Sequence, residues 1–293
     1  MKFSSLALFS GCASLAAAAA TTASTKPQTV FTVPGLTQIR EILALLEAPI
    51  ISTLVARAAL PVDLSLYSSN LTLLEFIAPR ELIGELTGRF DYGTLEFPYT
   101  LPGPPADKIS KVNPFTPGTF HLDKFTPNSN LTVFYTKTLI PLIKAANEAL
   151  ATPASSSSVF FHLNNVTNPD IDSALNLDAT LLALLAHRSS IGKIVGETKY
   201  ASNVTAYTPL IKAKDADSIR VLLTNVAQET SVLTEAAADS FTFAQDWEVA
   251  QGATNASTTA FITALQAAAA ATYRELIDIT TEVEIQYILA RLD

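Results

Sequence analysis

The sequence predicts an all-α protein, a single helical-bundle domain, and three observations carry that expectation. Short β-branched segments joined by hairpin turns are scarce. Glycine is only 10 of 293 residues, too few for a turn-rich β architecture. The C-terminal half holds three long runs without internal proline, at 175–200, 215–243 and 257–292. Apolar residues make up 48% and charged residues 16%, which excludes disorder for the bulk of the chain. The net charge of −8, with 19 Lys+Arg, argues against a nucleic-acid footprint. The three histidines, His121, His162 and His187, lie far apart and no C-x-x-C occurs, which argues against a zinc site.

The elements follow in order. Residues 1–22 pair Lys2 with an apolar stretch and a run of small residues, the pattern of a secretory signal peptide with Ala-x-Ala cleavage options. The chain is therefore expected to be secreted, without stable membrane insertion. A bacterial lipoprotein signal at Phe9-Ser10-Gly11-Cys12 is the alternative, with only about seven apolar-leaning residues before the cysteine. Cys12 is the single cysteine, so the mature chain has no disulfide and must rely on its core. Five N-x-S/T sequons, at Asn70, Asn130, Asn165, Asn203 and Asn255, support a eukaryotic secretory route and a glycoprotein.

Residues 23–34 read as a linker and 35–293 as one domain. From Leu36 to about Leu60, Ile39, Leu43, Leu46, Ile50 and Leu54 recur at helical steps, with Pro49 expected to kink the helix. Residues 71–88 give a second helix. Residues 89–130 hold seven of the 16 prolines and read as a long irregular surface excursion. Residues 131–150 are helical with a defect at Pro141. Residues 151–169 are Ser/Asn-rich and loop-like. Breaks are expected at 203–209 and 251–255.

Three helices carry polar residues where a core face would not want them. Arg188 and Lys199 fall on one face, separated by about 20° of helical rotation and about 16.5 Å of rise, with Gly192 and Gly196 on nearly the same stripe. Two cations leaning inward could grip a small dianion. Equally, the glycines could serve only close helix packing while the cations snorkel. Asn225 with Glu229, and Thr280 with Glu284, are i,i+4 pairs of the kind that most often form solvated faces. Arg40 sits beside Ile39, at the edge of the first helix's apolar stripe.

The stretch HRSSIGKIVGETKYASNVTAYTPLIKAKDADSIRVLLTNVAQE at 187–229 resembles the yeast-type, all-helical chorismate mutases. So do TTEVEIQYILARLD at 280–293, LTQIREILALLEAPIISTLVAR at 36–57 and IPLI at 140–143. The resemblance implies a cofactor-free pericyclic rearrangement of chorismate to prephenate. It implies Arg40 and Arg188 for the two substrate carboxylates, and Lys199 for the ether oxygen and a carboxylate. Asn225 and Glu229 would lie near the ring, with Glu229 on the hydroxyl side. Thr280 and Glu284 would form the last pair, with Glu284 donating to the ether oxygen. The family is dimeric and binds aromatic amino-acid effectors through an adjacent arginine pair and a Gly-Ser turn. This chain has Gly88-Arg89 and Asp172-Ser173 at those places, so effector control is expected to be weak. Similar secreted mutases of plant-associated fungi divert host chorismate. Two alternatives are a catalytically idle mutase fold used as a secreted binding protein and a helical carrier of apolar ligands.

Overall fold

The computed structural model describes residues 33–67, 71–87, 98–100, 120–121, 123–151, 171–250 and 256–292. The expected signal peptide and most of the expected linker, most of the proline-rich excursion, and the expected Ser/Asn-rich loop except Ala151, which ends α4, lie outside the described residues. Everything regular among the described residues is helical. The helices are α1 (Leu36–Ala58), α2 (Leu71–Leu86), α3 (Asn128–Phe134), α4 (Ile140–Ala151), α5 (Ile171–Ser190), α6 (Gly192–Ser202), α7 (Val204–Ala213), α8 (Ala216–Leu223), α9 (Val226–Ala250) and α10 (Ala256–Leu289). No helix among them is long and apolar enough to cross a membrane.

The long α10 is the spine. It packs along α4, α9, α6 and α5, while α1 lies against α5 and α9. Ile50, Leu54, Leu139, Ile143, Leu181, Leu185, Phe261, Leu265 and Tyr273 are buried in the main core. At about 25 cal/mol per Å2 of apolar surface removed from water, such a core supplies the dominant favourable term. One charged network is buried inside it. Arg57 on α1 donates from Nε to Asp178 on α5 at 2.6 Å and from Nη2 to the Tyr67 hydroxyl at 2.8 Å. The Tyr67 and Tyr135 hydroxyls also donate to Asp178. Each polar group has a partner, the condition under which a buried ion pair is tolerated.

Several boundaries differ from the sequence expectation. Residues 175–200 are two helices, because Ile191 forms a turn. Its backbone stays right-handed (φ −60°, ψ −22°) and its N–H still reaches the His187 carbonyl, so α6 continues from α5 with little interruption. Residues 215–243 are also two helices. Thr224 is extended (φ −66°, ψ 129°), and the Asn225 side chain accepts from the Gln228 N–H at 3.1 Å. Asn225 is thus an N-cap, placed before α9 and not within a helix shared with Glu229. The expected break over 203–209 shrinks to Asn203, which caps α7. Pro209 lies inside α7, where packing of Tyr207 and Ile211 overrides the local cost of a proline. Residues 128–151 run as α3, a π-helical stretch Tyr135–Leu139 and α4. The wider turn immediately precedes Pro141, where the ladder loses a backbone donor. Pro49 stays inside a continuous α1.

The contact that positions the site is α6 on α10. A Cβ on Gly192 would lie 2.8 Å from the Thr280 carbonyl oxygen, and one on Gly196 would lie 3.2 Å from the Tyr287 ring and 3.4 Å from the Glu284 carbonyl oxygen. The glycines therefore let two backbones approach. Glu197 then latches the pair, accepting from the Tyr287 hydroxyl at 2.7 Å and from Arg291 Nε and Nη2 at 2.8 and 3.2 Å. From the other side, Lys193 pairs with Asp123 at 2.9 Å and donates to the Phe125 carbonyl at 2.9 Å. Because the Gly192 neighbour is backbone, it cannot rotate away. Gly192→Ala is expected to cost about 1–3 kcal/mol. Gly35→Ala, where nothing lies within 4 Å, is expected to cost less than about 1 kcal/mol. Denaturant midpoints of the two variants check this.

Candidate active site

A cavity of about 400 Å3 opens between α1, α6, α8, α9 and α10, and its lining includes all seven polar residues singled out in the sequence. Arg40, on α1, and Asn225 are exposed at its rim, and Glu229 is half-buried. Arg188, Thr280 and Glu284 form its buried floor, at 3%, 8% and 6% exposure. The Thr280–Glu284 pair is therefore not a solvated face, whereas Asn225 stays exposed to solvent beside half-buried Glu229. The cations do not snorkel outward either. Arg188 and Lys199 face the cavity while the glycines between them serve the helix contact, so the two readings of the stripe hold together.

Lys199 defines the chemistry of one wall. Its Nζ donates to the Leu223 carbonyl at 2.9 Å and to Glu284 Oε2 at 2.9 Å. Leu223 ends α8, so its carbonyl has no partner within the helix, and Lys199 satisfies it. An ammonium has three donors; the third remains for a ligand. Burial pushes the Glu284 carboxyl up to about 7, with Lys199 pulling it down and Glu229 adding to the rise. Glu284 thus holds its proton over much of the range in which an ordinary glutamate is ionised. It can act as a donor beside Lys199.

Arg188 lies on the floor. Its guanidinium carbon lies 5.5 Å from the centroid of the Tyr273 ring, within cation–π range. Its Nε and the Thr280 hydroxyl are buried with no hydrogen-bond partner among the described residues. Buried donors are normally paired, so these two are exceptions at the floor of the cavity. Burial lowers the Arg188 pKa, while Tyr273 and Glu47 raise it.

Three residues near the site went unassigned at the sequence level. Tyr207 is 4% exposed and lines the cavity, its phenol pushed up by burial and by Glu284. Its place inside the resembling block was the available signal. Gln228 lines the cavity as well, and the Asn-x-x-Gln spacing of a capping box was the signal for it. Glu47 lies behind Arg188 on α1, seven residues after Arg40. Burial raises its carboxyl to about 7; Arg188 opposes that, and Glu235 and Asp239 add to it. Among the described residues no group of His, Cys, Asp and Glu is arranged to hold a metal ion.

The fold and the cavity together define a class: a helical bundle with a cavity lined by two arginines, a lysine and a buried acid. The comparisons with known proteins find chorismate mutases similar to this chain over most of its length. No family model matches the chain. The chorismate mutase of Saccharomyces cerevisiae is 28% identical over 288 residues, covering 92% of this chain and 98% of the yeast protein. The crystal structure of the chloroplast chorismate mutase from Zea mays superposes with a TM-score of 0.62 at 25% identity, covering 89% of this chain and 97% of that one. The Candida albicans chorismate mutase in complex with L-Trp shares the fold, with a TM-score of 0.59 at 22% identity, over 88% of this chain and 91% of that one. The chain is homologous to the helical chorismate mutases of fungi and plants.

Proposed function

We propose that this protein is a chorismate mutase, converting chorismate to prephenate by an intramolecular rearrangement. The observation that carries the reading is the cavity itself. Seven polar residues from five parts of the chain converge on it, and Lys199 and Glu284 meet there at 2.9 Å. The reaction exchanges no proton and no electron with the protein, so the residues needed are those that hold and stabilise.

Chorismate carries two carboxylates. Arg188, on the floor of the cavity, takes one, and Arg40 at the rim takes the other. Together they fold the enolpyruvyl arm over the ring into a near-attack geometry. As the C–O bond breaks, negative charge grows on the ether oxygen. Lys199 and protonated Glu284 supply preorganised donors to it. Asn225 and Glu229 meet the ring and its hydroxyl. The Asn225 side-chain oxygen is committed to the Gln228 N–H, so its Nδ2 is the group it presents. Thr280 donates from the floor. A rate gain of ~10^6 needs ~8 kcal/mol, within reach of positioning plus two charge-assisted donors.

The same proposal extends to location and assembly. Residues 1–22 act as a secretory signal, the mature chain carries glycans, and it reaches chorismate outside the producing cell, including that of a host. Support comes from the charge and apolar order of the first 22 residues and from the five sequons. The homodimer rests on the resemblance. Of the two expected effector elements, Arg89 lies outside the described residues, and Asp172 falls in the first turn of α5.

Incubating the purified mature protein with chorismate tests the reading: prephenate should form, and unchanged chorismate would overturn it. Lys199→Ala and Arg188→Ala should each lower kcat/KM by about 10^2–10^3, the loss typical of one donor to a developing oxyanion, with native helix content by circular dichroism. Since only protonated Glu284 donates, kcat should fall as pH rises through about 7. Glu284→Gln keeps an N–H that does not titrate, and its pH–rate profile should lose that alkaline limb. Added tryptophan or tyrosine at submillimolar concentration should change the rate less than twofold in a steady-state assay. The single Arg89 and the acid at Asp172 do not suit an effector carboxylate.

A further inference from the structure

We propose that Asn203 is a glycosylation site at the mouth of the cavity, and that its glycan restricts entry of substrate. This rests on the secretory and mutase readings above. Asn203-Val204-Thr205 is one of the five sequons. Asn203 itself is exposed and lines the cavity, a combination that places it at the rim. It shares that rim with Arg40 and Asn225, the exposed members of the seven. Asn130, the other sequon asparagine among the described residues, is exposed in the first turn of α3 and is not part of the cavity lining.

The local geometry accommodates the modification. Asn203 is the single non-helical residue between α6 and α7 (φ −150°, ψ 55°), and it is exposed. Its Oδ1 accepts from the Ala206 N–H at 3.3 Å, capping α7. Glycosylation uses the other atom. Asn203 Nδ2 forms a bond to the anomeric carbon of a lipid-diphosphate oligosaccharide, the donor of the secretory compartment. The bond from that carbon to the diphosphate oxygen breaks, and one amide proton passes to the departing lipid diphosphate. Oδ1 is untouched, so the cap on α7 survives. The glycan is bulky and hydrated, and its root lies on the edge through which a dianion must pass. It adds no contact to the floor residues Arg188, Thr280 and Glu284. Its effect is therefore on capture of substrate and not on the bound reaction: KM rises and kcat holds.

Thr205 is exposed and outside the cavity lining, so Thr205→Ala removes the sequon while leaving Asn203 and its cap in place. The wild type and this variant are secreted from a eukaryotic host, and the wild type is also made in bacterial cytoplasm, where no glycan is added. Peptide mapping by mass spectrometry reads occupancy at each sequon, and chorismate kinetics give KM and kcat. The expected result is a glycan on Asn203 and a KM several-fold higher for the secreted wild type than for either unglycosylated form, at equal kcat. Glycans elsewhere with Asn203 unmodified, or a modified Asn203 with unchanged KM, would overturn the proposal and leave the secretory reading standing. A product without any glycan would overturn both. If the unglycosylated forms leave chorismate unchanged, the mutase reading fails, and the restriction proposal fails with it.

Discussion

The approach of α6 to α10 is the constraint on which the site depends. Lys199 and Glu284 come from different helices, and their 2.9 Å contact exists because Gly192 and Gly196 let backbone meet backbone one and two turns earlier. A side chain at either glycine would move the two helices apart and pull the donor pair open. The latch at Glu197 sits between Gly196 and Lys199 in sequence. By holding Tyr287 and Arg291 it fixes the last turns of α10, next to Glu284. Lys193, paired with Asp123, ties the far side of α6 to the segment entering α3. The geometry of the cavity thus rests on a packing decision made by two residues without side chains.

The second consequence of that packing is electrostatic. Pressing α10 against α6 buries Glu284, and burial raises its carboxyl to about 7 despite a lysine in hydrogen-bond contact. An exposed pair would have behaved otherwise: the glutamate would ionise, neutralise the lysine and leave the site with two closed partners. Here one wall keeps an ammonium and an acid, both donors. The floor holds an arginine, Arg188, whose Nε has no hydrogen-bond partner among the described residues. Glu47 behind it is also raised to about 7, so the acid nearest Arg188 is one that burial holds toward its neutral form. The cavity is consequently richer in donors than its residue list implies, which suits a substrate that arrives with two negative charges and develops a third centre of charge.

Much of the fold was legible because it is written in periodicity. Ile39, Ile50 and Leu54 recur at helical spacing and are all buried, and the proline-free runs became α5, α6, α8, α9 and α10. The joints were harder to read. Asn225 looked like a helical partner of Glu229, yet it is the cap that ends one helix and starts the next; only Asn-x-x-Gln marked it. Pro209 looked like a breaker, yet buried Tyr207 and Ile211 carry the helix through it. Periodicity alone put Arg188 and Lys199 on one face but left the purpose of the stripe open. Deciding it required α10, a distant segment whose arrival no local pattern encodes. The same holds for Glu47, seven residues after Arg40 and distinguished only by its neighbours across the core.

The central claim is that Glu284 is a protonated donor beside Lys199 near neutral pH. Its carboxyl carbon chemical shift, followed by 13C NMR in selectively labelled protein and assigned with Glu284→Gln, tests this directly. The account predicts a titration midpoint close to 7. A midpoint near 4.5, with Glu284 ionised at neutral pH, would contradict it.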